Sequence, residues 1–140
     1  MPFEVVQELA LLERVPPNIV QSIRAFRVHS LQGEAKRLGH HFLYVNSGSA
    51  VTRHQVLTRI ADAFHLPRAL CKTVKGLAAC LTRQLFQAGS QSGFVVVLEQ
   101  LPHTTRFDRE ARETLLDVFR DAADFWAGKK VPFRVFYSFS

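Results

Sequence analysis

Six histidines (His29, His40, His41, His54, His65 and His103) and two cysteines (Cys71 and Cys80) are the side chains of this 140-residue chain best suited to hold a metal or move a proton. A zinc site needs its ligands in closely spaced pairs, and none of these histidines falls into such spacing with the two cysteines. No metal and no other cofactor is therefore expected. A general base also needs a nucleophile or substrate within hydrogen-bond reach, so His40, His41 and His54 read as solvated or capping side chains. Glu99 and Asp108 read as a strand-end charge and a helix cap rather than an acid/base pair. Neither a glycine-rich phosphate loop, a dinucleotide fingerprint, a helical zinc-protease motif nor a nucleophile elbow occurs. The expectation is a protein that is not an enzyme, with a scattered catalytic site as the last-ranked reading.

Charge is arranged more informatively than nucleophiles are. Along a helix expected over about residues 72–87, Lys72, Lys75, Ala79 and Arg83 recur at intervals of three and four, which aligns them on one side. Gly76, Ala78 and Ala79 lie at the middle of that helix and allow close backbone approach flanked by positive charge, which suits docking. A second helix, over 108–126, carries Glu110, Glu113, Asp117, Asp121 and Asp124 as an acidic ridge, offset in part by Arg109, Arg112 and Arg120.

The elements that must position these faces follow from periodicity. Val5, Leu9 and Leu12 suggest a short helix within residues 1–22, closed by Pro16 and Pro17. Residues 24–29 have strand-like composition, and Ser30 is expected to cap a helix through Arg37 that stops at Gly39. Residues 42–45 form an apolar strand ended by Asn46, Ser47 and Gly48. Thr52 then caps a helix burying Val56, Ile60, Ala63 and Phe64, and Leu66 and Pro67 terminate it. On the 72–87 helix Val74, Leu77, Leu81 and Leu85 share the core face, while residues 89–93 form a flexible connection.

Residues 94–99, a strand apolar on both faces, imply a sheet covered on both sides. The 108–126 helix is expected to bury Ala111, Leu115, Val118, Phe119, Ala122 and Trp126, and residues 131–139 form the last strand. Strand and helix alternate, so the fold class is α/β with a small parallel sheet and helical crossovers.

A chain of this length supports one core. Its formal net charge of +6 permits an acidic protein or nucleic acid as partner but does not locate a site. No apolar run approaches the roughly 20 residues that cross a bilayer, and the first residues lack a signal-peptide pattern, so no membrane association and a cytoplasmic address are expected. Both cysteines are expected to stay reduced: nine residues of helix turn them about 180° apart, which disfavours a disulfide if both lie on that helix. Cys80, beside Leu77 and Leu81, is expected to be buried.

Specific words along the chain resemble the barstar family of intracellular inhibitors of secreted bacterial ribonucleases. They are Leu66 and Pro67 closing a helix; Leu77 followed by Cys80, Leu81 and Thr82; Val96, Val97, Leu98 and Glu99 on a strand; and the run from Leu115 to Ala122 on the last helix. The resemblance covers about residues 42–140, which defines a barstar-like domain, with residues 1–41 an N-terminal extension that adds a strand or flanks an edge.

It implies a three-stranded parallel sheet packed by helices, no catalytic residues, and a protein partner, a ribonuclease or related toxin, bound by the helix after the Leu-Pro word and the loop leading into it. The positions that carry over are Ala69, Lys72, Lys75, Ala78, Ala79, Arg83 and Asp121. Where the family has a tyrosine, a tryptophan and two aspartates, this chain has Ala69, Ala78, Lys75 and Ala79, and Lys72 also replaces an acid. Only Asp121 keeps acidic character. The expected function is therefore an inhibitor or immunity-type protein with altered partner specificity, and the alternative is a module that binds an acidic protein or nucleic acid through the basic face.

Overall fold

The structure, a computed structural model, describes residues 11–24, 26–84 (the backbone alone at Gln84) and 91–140. Four parallel strands lie in the order β1-β4-β3-β2: β1 is Asn18–Ser22, β2 is His41–Asn46, β3 is Phe94–Leu101 and β4 is Phe133–Phe139. The helices are α1 (Val28–Leu38), α2 (Arg53–Ala63), α3 (Val74–Ala79) and α4 (Arg109–Gly128); a 3-10 turn spans Leu11–Arg14 and a π turn, Cys80–Gln84, continues α3. The fold is thus the α/β parallel architecture expected from the alternating pattern, with four strands where the resemblance implies three.

The central strand explains the unbroken apolar run. Phe94, Val96 and Leu98 of β3 enter a large core with α2, α3 and α4, while Val95 and Val97 enter a second core with Leu12, Leu31, Ala35 and Phe136 under α1 and the 3-10 turn. Both faces of β3 are covered, so neither needs polar side chains. The helix starts follow cap chemistry. The Thr52 hydroxyl accepts from Gln55 N at 3.2 Å and the Gln55 side chain accepts from Thr52 N, closing a capping box on α2; Asp108 accepts from Ala111 N at 3.0 Å to start α4. Gly39, at φ 72°, ends α1 in the left-handed conformation.

The N-terminal third differs from the sequence expectation. The strand is Asn18–Ser22 rather than 24–29: Ile19 and Val20 pair with Arg134 and Val135, and Asn18 Nδ2 donates to Ala123 O and Val131 O at 2.9 and 3.0 Å. Arg24 instead occupies a turn with φ 36°. Helix α1 begins at Val28 with Arg27 as its uncapped entry, which places Ser30 inside it; burial of Leu31 and Ala35, not a side-chain cap, holds its first turns. Residues 1–10, with Val5 and Leu9, lie outside the described residues.

A buried cation ties this region to the sheet. Arg134 of β4, 8% exposed, donates to the carbonyls of Pro16, Leu12 and Val15 at 3.2, 3.4 and 3.4 Å. Burial pulls its pKa below the usual arginine range, while the charge of Glu34 opposes that shift. Glu34 is itself buried, accepts from Leu11 N at 3.2 Å and pairs with Arg37.

Candidate docking surface

The segment from Pro67 to Arg83 is built by short-range hydrogen bonds. Leu70 N donates to Pro67 O and Cys71 N to Arg68 O, both at 3.1 Å, so the chain leaves α2 in two tight turns. The Arg68 guanidinium grips the Asp62 carboxylate at 2.7 and 2.6 Å and holds that carboxyl below its ordinary pKa. Thr73 then caps α3 by accepting from Gly76 N at 3.0 Å. Gly76 is required by contact: a Cβ there would lie 1.8 Å from the Leu70 carbonyl oxygen. On the inner side Leu77, Cys80 and Leu81 are fully buried, and the Trp126 indole N–H donates to Leu81 O at 2.9 Å, pinning the π turn to α4.

The single helix expected over 72–87 is thus corrected. Lys72 precedes the Thr73 cap, α3 proper spans six residues, and the backbone widens to π geometry from Cys80; Leu85 lies outside the described residues. The consequence for the cysteines is larger. Because Cys71 sits in the turn before α3, the helical-wheel separation does not apply, and the two sulfurs lie 3.6 Å apart in the core, both as free thiols. Cys80 is buried as expected.

Ala69, Lys72, Lys75, Ala79 and Arg83 are exposed, and Ala78 is half-buried against the core. Among the described residues, Lys72, Lys75 and Arg83 have no ion-pair partner. Asp121 is exposed on α4, whose opposite face buries Leu115, Phe119, Ala122 and Trp126, and no hydrogen bond or ion pair links it to the 69–83 segment among the described residues. Six of the seven candidate positions therefore share one continuous segment and the seventh stands on a neighbouring helix.

The acidic ridge of α4 is exposed along its length and partly neutralised, since Arg120 reaches Asp117 at 2.7 Å and Glu113 at 3.5 Å. Arg112 is used otherwise: it donates to Phe107 O at 3.0 Å and lies over the Phe139 ring.

Sequence reasoning passes over Leu70, which is 48% exposed between Ala69 and the basic residues and gives the surface an apolar contact. Its signal is faint: one leucine after a helix-ending Leu-Pro, where core and surface look alike. Glu99 and Asp108 are committed structurally. Glu99 accepts from the Tyr44 hydroxyl at 2.8 Å, and burial together with that carboxylate raises the tyrosine pKa. Asp108 is a cap. Among the described residues no three histidine, cysteine or acidic side chains gather as metal ligands, and no helix is long and apolar enough to cross a membrane.

A parallel sheet of this order, with an exposed turn and short helix presented beside α4, defines a small α/β domain of helices packed on a parallel sheet. The family model described as "Barstar (barnase inhibitor)" matches residues 40–138, and the chain belongs to that family. No curated protein matches the chain.

Proposed function

We propose that the chain is a barstar-like, non-catalytic inhibitor or immunity-type protein of the cytoplasm that docks onto a ribonuclease or related toxin through residues 69–83, with Asp121 at the margin. The observation that carries this reading is a largely exposed segment on a family scaffold that presents Lys72, Lys75 and Arg83 along with Leu70, Ala78 and Ala79, the three cations making no ion pair among the described residues. Like charges juxtaposed across an interface cost several kcal/mol, so this face selects an acidic surface on its target rather than a basic RNA-binding cleft. Ala69 and Ala78 leave room for a partner's side chains where the family inhibitor inserts its own aromatics.

The test is charge reversal. Lys72→Glu with Lys75→Asp leaves the fold intact, since both positions are exposed, neither supplies the Thr73 cap, and acidic side chains are favourable around a helix N-terminus. The double variant binds a basic barnase-type ribonuclease better than the parent chain at low salt, and the difference shrinks at moderate salt. Tight binding by the parent chain with weaker binding by the variant refutes the charge argument. The same unpaired cations favour a second reading, a nucleic-acid module. It requires the logarithm of affinity to fall with the logarithm of salt at a slope near −0.9 per neutralised phosphate, about −2 to −3 for three cations.

A further inference from the structure

We propose that Cys71 and Cys80 are a modification site: an oxidisable dithiol that closes into an intramolecular disulfide across the docking segment. The two sulfurs are already in contact at 3.6 Å, one from the turn after α2 and one from the end of α3, and must approach by only about 1.5 Å to reach bonding distance. The turn and the helix are held together by the close fit of Gly76 on the Leu70 carbonyl, which keeps the pair in register.

A low-molecular-weight disulfide such as oxidised glutathione supplies the chemistry. One cysteine thiolate attacks it, forms a mixed disulfide and releases one glutathione thiol; the second cysteine thiolate then attacks the protein sulfur and releases the other. Two protein thiols are oxidised, one disulfide is reduced to two thiols, and the two cysteine protons pass to the departing thiolates. Burial, reinforced by the neighbouring sulfur, pushes the Cys71 thiol up to about 12. The first attack therefore waits on opening of the 67–73 turns, so oxidation is slow and accelerates with rising pH. The ring formed, residues 71–80, contains Lys72, Lys75, Ala78 and Ala79; this chemistry stands whether or not that face is the docking site.

The test incubates the reduced full chain with excess oxidised glutathione at alkaline pH, blocks residual thiols by alkylation and digests with trypsin without reductant. Cleavage after Lys72 and Lys75 separates the cysteines, so the bond appears as peptide 69–72 joined to peptide 76–83. The expected result is an intact mass lowered by two hydrogens, the joined peptide as the main product, and a disulfide-to-dithiol ratio about tenfold or more above that of the same chain in denaturant. Cys71→Ala and Cys71→Ser give a glutathione adduct in place of the joined peptide. A stable glutathione adduct on the parent chain, a disulfide-linked dimer, two persistent thiols, or a native ratio no higher than the denatured one overturns the proposal.

Discussion

Gly76→Ala is the most informative single perturbation, because it loads the contact that holds residues 67–83 in place. The added Cβ would meet Leu70 O at 1.8 Å, Leu70 C at 3.0 Å and Thr73 Oγ1 at 3.3 Å. An ordinary carbon–oxygen contact is about 3.3 Å or more, so the carbonyl must retreat by about 1.5 Å. No side chain can yield instead, since the obstacle is backbone fixed by the turns Leu70 N to Pro67 O and Cys71 N to Arg68 O. Overpacking costs about 1–3 kcal/mol, and resistance from backbone puts this site at the upper end. Alanine's better helix propensity returns about 1 kcal/mol, which leaves a net loss of about 2 kcal/mol.

Urea denaturation followed by the fluorescence of Trp126, the sole tryptophan, buried 5.0 Å from the Phe94 ring, reads that loss directly. The thermal midpoint falls by about 6–10 °C. A variant as stable as the parent or more stable would refute the packing argument. If the turn does move, Lys72 and Ala69 move with it, and partner binding weakens beyond what stability alone explains.

Gly33→Ala serves as the opposite case: it lies mid-α1 with nothing within 4 Å of the added methyl, so it should raise stability by about 0.5–1 kcal/mol in the same urea assay. Arg134→Met removes the donor shared by three carbonyls of residues 12, 15 and 16 and should cost about 3 kcal/mol, with a lower midpoint in thermal unfolding; an unchanged midpoint would show that water replaces the guanidinium. His40 is held below its ordinary pKa of 6.5, chiefly by burial and then by the charges of Arg134 and His41. The folded state therefore favours neutral His40: its contribution is complete above pH 6.5 and is lost as pH falls from there through the lowered folded pKa. His40→Gln should flatten the stability profile across that window, and an identical slope in parent and variant would remove His40 as its source.

The parts of the fold legible in the sequence are those where a local signal and the tertiary outcome agree. Thr52, Asp108 and Gly39 act as the caps and stop that their residue types imply, and the both-face apolar run of β3 is the interior strand it suggests. Strand β1 escaped because its order comes from a distant partner: Ile19 and Val20 are too few to mark a strand, and β4 supplies the pairing more than 110 residues away along the chain. Helix α1 starts elsewhere for a similar reason, since it begins without a side-chain cap and is held by its buried face, Leu31 and Ala35, against β2 and β3. The cysteine pair was hidden by one helix boundary: beginning at the Thr73 cap rather than at Lys72 removes Cys71 from the wheel and places its sulfur against Cys80.

The same division runs through the candidate site. Exposure of Lys75 could be read from helical spacing because Leu77 beside it is dictated by the core, whereas Lys72 before the cap and Arg83 in the π turn are exposed outside that spacing. What spacing could not supply is the support beneath them: the Arg68–Asp62 clamp, the seat of Gly76 on Leu70, and the Trp126 bond to Leu81 O. Each of these involves groups brought together by the fold, and none touches the outward tips of the basic side chains. Scaffold and surface charge are therefore physically separable here. The core can specify a barstar-family fold while the outer positions of residues 69–83 vary in sign and size at small cost in stability, because an exposed charge on a capped and packed helix contributes little to folding and much to which partner can approach.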